Sequence, residues 1–174
     1  MLGLHKDKVD LLPYNPEWAI EYKIEKKNLE KIMAGYALDI QHVGSTSIPG
    51  LSAKPILDIA VAVKDKKTLQ DLILIMTKAG YDVLNSIEEK GEILARKGTP
   101  ECRTHYIHIE VIGSKYWTNH ILFRDYLLKH REYIKEYEKL KQEMQKLYKD
   151  NRKQYTAHKN EFIKSILDKA KSEK

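Results

Sequence analysis

The sequence predicts an α+β protein in which a mixed β-sheet is followed by a helical C-terminal half. Three features of the chain support this class. Residues 16–34 carry a helical pattern, and short β-rich segments recur between residues 37 and 112. From residue 114 onward the apolar residues follow helical spacing to the end of the chain. Strands in one half and helices in the other are typical of an α+β architecture.

The two helices of the first half have recognisable ends. Asn15 is a favourable N-cap residue for a helix over residues 16–34, and Pro16 suits the first helical position because its missing N–H needs no partner there. Gly35 provides the end signal. A second helix is predicted over residues 66–79, where apolar residues recur at i, i+3, i+4 and i+7.

Five segments have the β-branched or alternating apolar pattern of strands. They are predicted over residues 37–43, 55–63, 81–84, 92–96 and 103–112. The second segment is apolar almost throughout, which indicates a buried central strand. Alternation along the last segment places Ile107, Ile109 and Val111 on a core face, and Tyr106, His108 and Glu110 on a polar face that is available for chemistry.

The helical half carries a repeating seam. Its members follow 4-3-4-3 spacing, as in a packed helix pair: Tyr133, Tyr137, Leu140, Met144 and Leu147. The seam packs either within the chain or across a dimer, so the oligomeric state stays open. With no long linker and no repeat, residues 1–174 are predicted to form one domain. Its sheet core is residues 1–113, and residues 114–174 pack on it.

The composition excludes several protein classes. No apolar run approaches the roughly 18 residues of a membrane-spanning helix, and the N-terminus lacks the pattern of a signal peptide. Cys102 is the single cysteine, which excludes an internal disulfide and leaves too few thiolates for a structural zinc site. We therefore expect a cytoplasmic protein with no membrane partner.

The net charge of +6 is concentrated in the helical half. From Lys129 to the end there are 14 basic and 8 acidic residues, whereas the first 128 residues are balanced. Such a surplus can indicate nucleic-acid binding. The lysines alternate with glutamates at spacings that suit i, i+4 helix pairs, so a solvated helix face is the favoured interpretation.

The stretch HVGSTSIPGLSAKPILDIAVAV, residues 42–63, concentrates the residues that can carry chemistry. A Walker loop is excluded because five residues separate Gly44 from Gly50 where the motif requires four, and Leu51 stands where the lysine should follow. A serine nucleophile elbow is excluded because no glycine pair flanks Ser45 or Ser47. Another arrangement therefore has to explain this stretch.

A turn that presents phosphate ligands, followed by a metal-binding carboxylate, fits this stretch better. The Gly44-Ser45 turn exposes N–H groups and a hydroxyl that suit phosphates, and Asp58 follows after twelve residues on the next strand. An aspartate in such an apolar run is costly unless it is paired or bound to a metal. Ala60 and Ala62, on the same strand face, are expected to leave room for a ligand.

Three motifs carry a family resemblance. HVGSTSIPGLSAKPILDI, then HYIHIEVIGSKYW, then FRDYLLKH resemble the GrpB family, which is similar to the polymerase-β-like nucleotidyltransferase superfamily. The resemblance extends from PYNPEW near the start to YTAHKNEFIKSIL near the end. It implies a nucleotidyltransferase type of sheet. It also suggests an association with coenzyme A metabolism, because similar segments are fused to dephospho-coenzyme A kinase.

The superfamily pattern is a Gly-Ser turn followed by two carboxylates at alternate strand positions. Gly44-Ser45 match the turn and Asp58 the first carboxylate, but the second position is Ala60. A third carboxylate comes from a later strand, where Glu110 is the candidate and His108 points the same way. The resemblance thus implies Asp58, Glu110 and His108 as catalytic residues, with Mg²⁺ or Mn²⁺ on Asp58 and Glu110.

The remaining candidates are expected to bind the phosphates of the nucleotide. They are Gly44, Ser45, Thr46, Ser47, Lys54 and His42. Lys54 lies between two proline-restricted segments that fix its direction. His42 either contacts phosphate or caps the loop. Arg124 and Asp125 are interpreted as a structural pair that fastens their helix to the sheet.

Three interpretations of the whole protein stay open. The first is a nucleotidyltransferase that moves a nucleotidyl group, or pyrophosphate, from an NTP to an unknown small-molecule or macromolecular acceptor. The second is a nucleotide-binding or regulatory protein that has kept the fold and lost the reaction, because Ala60 removes one carboxylate. The third is a nucleic-acid-binding module, which the charge pattern disfavours.

Overall fold

A five-stranded mixed sheet forms the centre of the protein in a computed structural model that describes residues 2–173. The strands are β1 (Ala37–Val43), β2 (Leu57–Val63), β3 (Asp82–Ser86), β4 (Glu92–Gly98) and β5 (Arg103–Val111). Their order across the sheet is β1-β2-β5-β4-β3. β2 and β5 pair in parallel, and the other neighbours are antiparallel.

Six helices accompany the described strands. They are α1 (Glu17–Ile32), α2 (Lys66–Lys78), α3 (Ile87–Lys90), α4 (Lys115–Lys129), α5 (Glu132–Tyr148) and α6 (Arg152–Ser172). The α+β class and the helical C-terminal half are therefore confirmed. α3 was not predicted, because its four residues are too few to show a periodic pattern.

Helices cover both faces of the sheet. α1 and α2 pack on the face that carries the isoleucines and valines of β2 and β5, such as Ile59, Val61, Ile107 and Ile109. On the other face, Trp117 of α4 packs against Val43, Ala60 and Ala62. Each buried aliphatic side chain contributes on the order of 1.5–3 kcal/mol, so both layers stabilise the sheet.

A second apolar cluster joins the last three helices to the loop after β1. It contains Ile48, Leu51, Phe123, Tyr126, Leu127, Ile134, Tyr137, Ile166, Leu167 and Ala170. The first part of the predicted seam, Tyr133 to Leu140, packs within the chain in this cluster. Leu147, at its far end, is 67% exposed. The cluster holds the loop of residues 44–54 between the sheet and α5.

The N-terminal segment links the sheet to the helical half. Leu4 forms a β-bridge with Arg103 on the sheet, and Val9 N–H donates to Lys149 C=O at the end of α5, at 3.0 Å. Leu12 then pairs with Ala53 in the loop before β2. No helix within residues 2–173 is long and apolar enough to cross a membrane.

Candidate functional site

The Gly44-Ser45 turn is locked against β2 at Asp58. Gly44 has φ 69° and ψ −174°, a conformation that only glycine adopts readily. A Cβ at residue 44 would lie 2.6 Å from Asp58 Oδ2. After Gly44, residues Ser45–Ser47 form a single 3₁₀ turn, and the Ser47 hydroxyl donates to Gly44 C=O at 2.6 Å. The Gly44-Ser45 turn and the Asp58 carboxylate are therefore in direct contact and form one rigid structural unit.

A cavity of about 480 Å³ opens beside this unit. Five of the predicted site residues line it, namely Ser45, Thr46, Lys54, Asp58 and His108. The cavity is rich in cations, namely Lys6, Lys54, Lys141, Arg152 and Lys159, whereas its carboxylates are Asp7 and Asp58. This surplus of positive charge suits an anionic ligand with several charges.

Two ammonium groups share one aromatic ring at the centre of the cavity. The Nζ atoms of Lys54 and Lys159 lie 5.4 Å and 4.6 Å from the centroid of the Tyr155 ring. Burial and the neighbouring Lys159 and Arg152 cations lower the pKa of Lys54 well below its ordinary value. Burial also lowers the pKa of Lys159 to about 8, against the attraction of Asp58. A bound anion would relieve both perturbations.

Lys141 and Glu138 of α5 hold the loop that carries Lys54. Glu138 Oε2 accepts from Ser52 N–H at 2.8 Å, and Lys141 Nζ donates to Ser52 C=O. Lys141 is 1% exposed, and burial lowers its pKa to about 7, against the attraction of Glu138. The two side chains thus satisfy both polar groups of one loop residue, which fixes the direction of the chain toward Lys54.

Asp58 forms an ion pair with His108 of the parallel neighbour strand. His108 Nε2 lies 3.7 Å from Asp58 Oδ1, and His108 Nδ1 lies 3.8 Å from Glu92 Oε2. Burial disfavours the imidazolium, but the two carboxylates outweigh this and raise the pKa of His108 to about 10. Burial acts to raise the pKa of Asp58, yet His108 and Lys54 leave it below its ordinary value. Both groups are charged near neutral pH.

Glu110 does not converge with Asp58, contrary to the predicted shared metal site. In the β2–β5 register, Asp58 pairs with Tyr106 and Glu110 pairs with Ala62. Glu110 therefore lies four residues farther along β5, about 13 Å in the strand direction. It is fully buried under α4, where His120 Nε2 is 3.3 Å from Oε1. The pairing register separates the two carboxylates, with His108 between them.

His42 and Ser47, both predicted to contact phosphate, also lie away from the cavity. His42 pairs with Ile59 in the sheet, so its side chain points to the face opposite Asp58. Its ring stacks on Tyr22 with centroids 4.8 Å apart, and Nε2 is 3.0 Å from Thr46 Oγ1. Burial lowers the pKa of His42 to about 4, so the ring is neutral near pH 7. Its contacts are those of a loop cap.

The space above Ala60 and Ala62 is filled, which overturns the expectation that these small residues leave room for a ligand. Both are 0% exposed and pack against Trp117. Arg124, two turns of α4 beyond Trp117, donates to Gln41 Oε1 at 2.8 Å and to His42 C=O at 2.9 Å. Arg124 thus fastens α4 to β1, and the ligand space lies beside the strand end at Asp58.

Sequence reasoning missed the cations that the helical half supplies to the cavity. Arg152, Tyr155, Thr156 and Lys159 occupy positions i, i+3, i+4 and i+7 of α6, and all four line the cavity. This spacing of basic and aromatic residues on one helix face was the available signal. Part of the basic surplus of the C-terminal third therefore faces the site.

Comparisons with known proteins agree on one family. Residues 8–169 match the sequence model of the family described as GrpB protein. The chain is 37% identical over 131 residues to the "Glutamate-rich protein GrpB" of Alkalihalophilus pseudofirmus, covering 73% of this chain and 75% of that protein. A crystal structure of conserved protein GrpB from Enterococcus faecalis is similar at 31% identity with a TM-score of 0.84, covering 92% of this chain and 96% of that one.

Two further relatives are longer than the region they share with this chain. The "UPF0157 protein YqkA" of Bacillus subtilis is 34% identical over 125 residues, which is 72% of this chain and 36% of YqkA. The "Dephospho-CoA kinase" of Mycolicibacterium paratuberculosis is 33% identical over 82 residues, which is 45% of this chain and 20% of that protein. The GrpB family model and the GrpB protein of Alkalihalophilus pseudofirmus each match most of this chain. The chain therefore belongs to the GrpB family.

Proposed function

We propose that this protein binds a nucleotide through its phosphates, in the cavity beside the Gly44-Ser45 turn. The observation that carries this proposal is the convergence of Lys54, Arg152 and Lys159 on one cavity next to that turn. Ammonium and guanidinium groups beside exposed turn N–H groups are the usual ligands of phosphate chains. The cavity volume of about 480 Å³ lies in the range of small-ligand sites.

An aromatic face accompanies the cations. The Arg152 guanidinium lies 5.1 Å from the centroid of the Tyr106 ring, and both residues line the cavity. A planar nucleobase stacks well on such a surface, because every base has a π-face. Phosphates on the lysines and a base near Tyr106 would both lie within this cavity.

The carboxylates suit one Mg²⁺ or Mn²⁺ and do not suit two. Asp58 adjoins the turn, but Ala60 occupies the second carboxylate position, and His108 stands opposite Ala60 on β5. Mg²⁺ commonly binds one or two carboxylates together with substrate phosphates, so Asp58 is a sufficient protein ligand for a single ion. A bound ion would supply charge neutralisation at the phosphates.

Nucleotidyl transfer to an acceptor is the second candidate, and the contact between Asp58 and the Gly44-Ser45 turn favours it. That contact places a carboxylate next to the phosphate ligands, as phosphoryl chemistry requires. The missing second carboxylate makes binding without turnover the first proposal. The acceptor would be a small molecule or a macromolecule. Coenzyme A and dephospho-coenzyme A enter as candidate ligands through the similarity to a dephospho-CoA kinase.

Thermal unfolding with a ligand panel tests both proposals. The panel contains the four NTPs, coenzyme A and dephospho-coenzyme A, each with and without Mg²⁺ or Mn²⁺. A ligand at 100 times its Kd stabilises the folded state by roughly 2.7 kcal/mol. We expect at least one nucleotide to stabilise the wild type, and we expect Lys159→Gln to reduce this stabilisation by about half, as a tenfold loss of affinity would. Lys164→Gln, which removes an exposed charge from the same helix, is the matched control.

Asp58→Asn separates binding from metal use. If Asp58 holds the ion, the variant loses only the part of the stabilisation that depends on Mg²⁺ or Mn²⁺. Transfer of an α-phosphate label from the stabilising NTP then distinguishes an enzyme from a binding protein. No shift of the wild type with any nucleotide would refute the binding proposal.

A further inference from the structure

A compact strand-turn-helix unit brings two histidines and a glutamate together beneath α4. His108 and Glu110 are two residues apart on β5, so their side chains project from the same face. The chain then turns at Gly113, with φ 73°, and Ser114 caps α4 by accepting from Trp117 N–H at 3.3 Å. His120, in the second turn of α4, faces back toward Glu110.

Glu110 is the unusual member of this group. It is 0% exposed, and neither of its carboxylate oxygens has a hydrogen-bond partner among the described residues. His120 Nε2 approaches Oε1 to 3.3 Å without hydrogen-bond geometry. Burying a carboxylate without hydrogen bonds is costly, and such groups in native proteins are normally paired or bound to a metal.

The three side chains have the spacing of metal ligands. One donor atom from each of His108, Glu110 and His120 lies within 4.8 Å of the other two. Zinc bonds of about 2.0–2.2 Å to nitrogen and oxygen place tetrahedral ligand atoms about 3.3 Å apart. The His120–Glu110 pair already has this separation, and the His108 and His120 ring centroids are 4.7 Å apart. His108 would bind the ion as the neutral imidazole, so its proton is released to solvent when the ion binds.

We propose that His108, Glu110 and His120 bind one divalent first-row transition-metal ion, of which Zn²⁺ is the representative. Two imidazoles and one carboxylate are typical of zinc and of non-haem iron, whereas Mg²⁺ and Ca²⁺ prefer oxygen ligands alone. Three protein ligands leave a fourth position open. A cavity of about 380 Å³ adjoins the two histidines, and its lining also includes Asn119 and Asp58.

The site adjoins the proposed nucleotide site and shares His108 with it, because His108 also lines that cavity. Asp58 is 3.7 Å from His108, so an ion on the three ligands would lie at the edge of the phosphate cavity. The proposal rests on Glu110 and the two histidines alone. It holds whether or not a nucleotide binds, and the experiment below contains no nucleotide.

Metal binding is measured with Zn²⁺ by equilibrium dialysis against a competing chelator, and with Co²⁺ by visible absorption. The variants are Glu110→Gln and His120→Gln. The control is His158→Gln, a change at an exposed histidine on α6. We expect one ion per chain in the wild type and in the control. Each ligand variant should lose tenfold or more in affinity, on the order of the effect of removing a metal-site partner. A large excess of Mg²⁺ should not displace Zn²⁺.

Folding of the variants is checked by thermal unfolding without metal. Glu110→Gln removes a buried charge at constant shape, so its melting temperature should equal or exceed that of the wild type. His120 is 30% exposed in its side chain, and its variant decides the question if Glu110→Gln does not fold. Unchanged Zn²⁺ affinity in a folded ligand variant, loss of binding in the control, or no bound Zn²⁺ in the wild type would each overturn the proposal.

Discussion

Asp58 lies against the backbone of Gly44 so closely that a Cβ at residue 44 would be 2.9 Å from Asp58 Cβ and 2.6 Å from Oδ2. Gly44 also has a positive φ that other residues rarely adopt. Gly44→Ala should therefore reduce the free energy of unfolding by about 2 kcal/mol or more, from backbone strain and the displacement of Asp58. Urea denaturation measures this loss.

The control for this prediction is Gly50→Ala in the same loop. Gly50 also has a positive φ, of 88°, but nothing lies within 4 Å of a Cβ added there. Gly50→Ala should cost less, because it introduces strain without a collision. Equal costs for the two variants would show that the contact with Asp58 is unimportant. Gly44→Ala should in addition weaken nucleotide binding, because the phosphate ligands and the carboxylate move apart.

The binding of a phosphate ligand should weaken as the pH rises above 8. The pKa of Lys159 in the free protein is about 8, and a bound phosphate chain raises it by favouring the ammonium form. The complex then holds more protons than the free protein, so affinity falls as the pH rises through the pKa of the free lysine. From this group alone, the loss between pH 8 and pH 9 is roughly fivefold.

Isothermal titration calorimetry at several pH values, with the stabilising nucleotide, checks this dependence. Lys159→Gln should lower the affinity at pH 7 on the order of tenfold, the contribution of a charge-assisted hydrogen bond, and flatten the pH profile. Lys164→Gln should leave both unchanged. A profile that keeps its slope in Lys159→Gln would assign the proton uptake to another group, with Lys54 the first candidate.

The folding stability should depend on pH because burial lowers the pKa of Lys141. Its pKa in the folded protein is about 7, below the ordinary value of 10.5. Between these values the unfolded chain binds more protons, so this group makes stability rise with pH from about 7 toward 10.5. The wild type should therefore gain stability over Lys141→Met on the order of 3 kcal/mol between pH 6 and pH 9.5.

Chemical denaturation of both proteins at the two pH values tests this sign. Lys139→Met, at an exposed position of α5, is the control and should show no pH-dependent difference from the wild type. If the gap between wild type and Lys141→Met narrows as the pH rises, then Lys141 is stabilised as a cation by Ser52 C=O and the Tyr137 ring, and its pKa is not lowered.

Local sequence patterns determined most of the strands and helices, because each depends on neighbours within a few residues. β1 begins and ends where its alternation predicts, and α2 follows its N-cap Asp65, which accepts from Thr68 N–H at 2.9 Å. The polar face of β5 was also predicted, since alternation within one strand needs no partner. These features depend on backbone geometry alone.

The composition of the site depends on tertiary structure and could not be predicted in the same way. The sequence places His42 near Asp58, but the pairing of His42 with Ile59 turns its ring to the other face. Alternation gives the face of Glu110 but not the helix that covers it. Lys159 is about a hundred residues from Asp58 in sequence, and it reaches the cavity because α6 packs on α4 and α5. The predicted and observed sites therefore differ because of the pairing register of the strands and the packing of α4 and α6, which no local sequence pattern contains.

A carboxylate introduced at residue 60, two positions beyond Asp58 on the same strand face, should not create a metal site there. Ala60 is fully buried, packs against Trp117 and pairs with His108 in the sheet. Ala60→Asp adds the three heavy atoms of a carboxylate group where no space is left. We expect a loss of about 3 kcal/mol or more in the free energy of unfolding, from overpacking and from burial of charge.

Ala60→Asn separates the two causes, because it adds nearly the same volume without the charge. Both variants are compared by urea denaturation with and without Mg²⁺. If burial of charge contributes, Ala60→Asp is the less stable of the two, and Mg²⁺ does not restore it. If Mg²⁺ stabilises Ala60→Asp well beyond the wild type, then Trp117 can move aside and the site can accept a second ion. The packing of Trp117 on Ala60 predicts the opposite result, because it leaves no space for a bound ion.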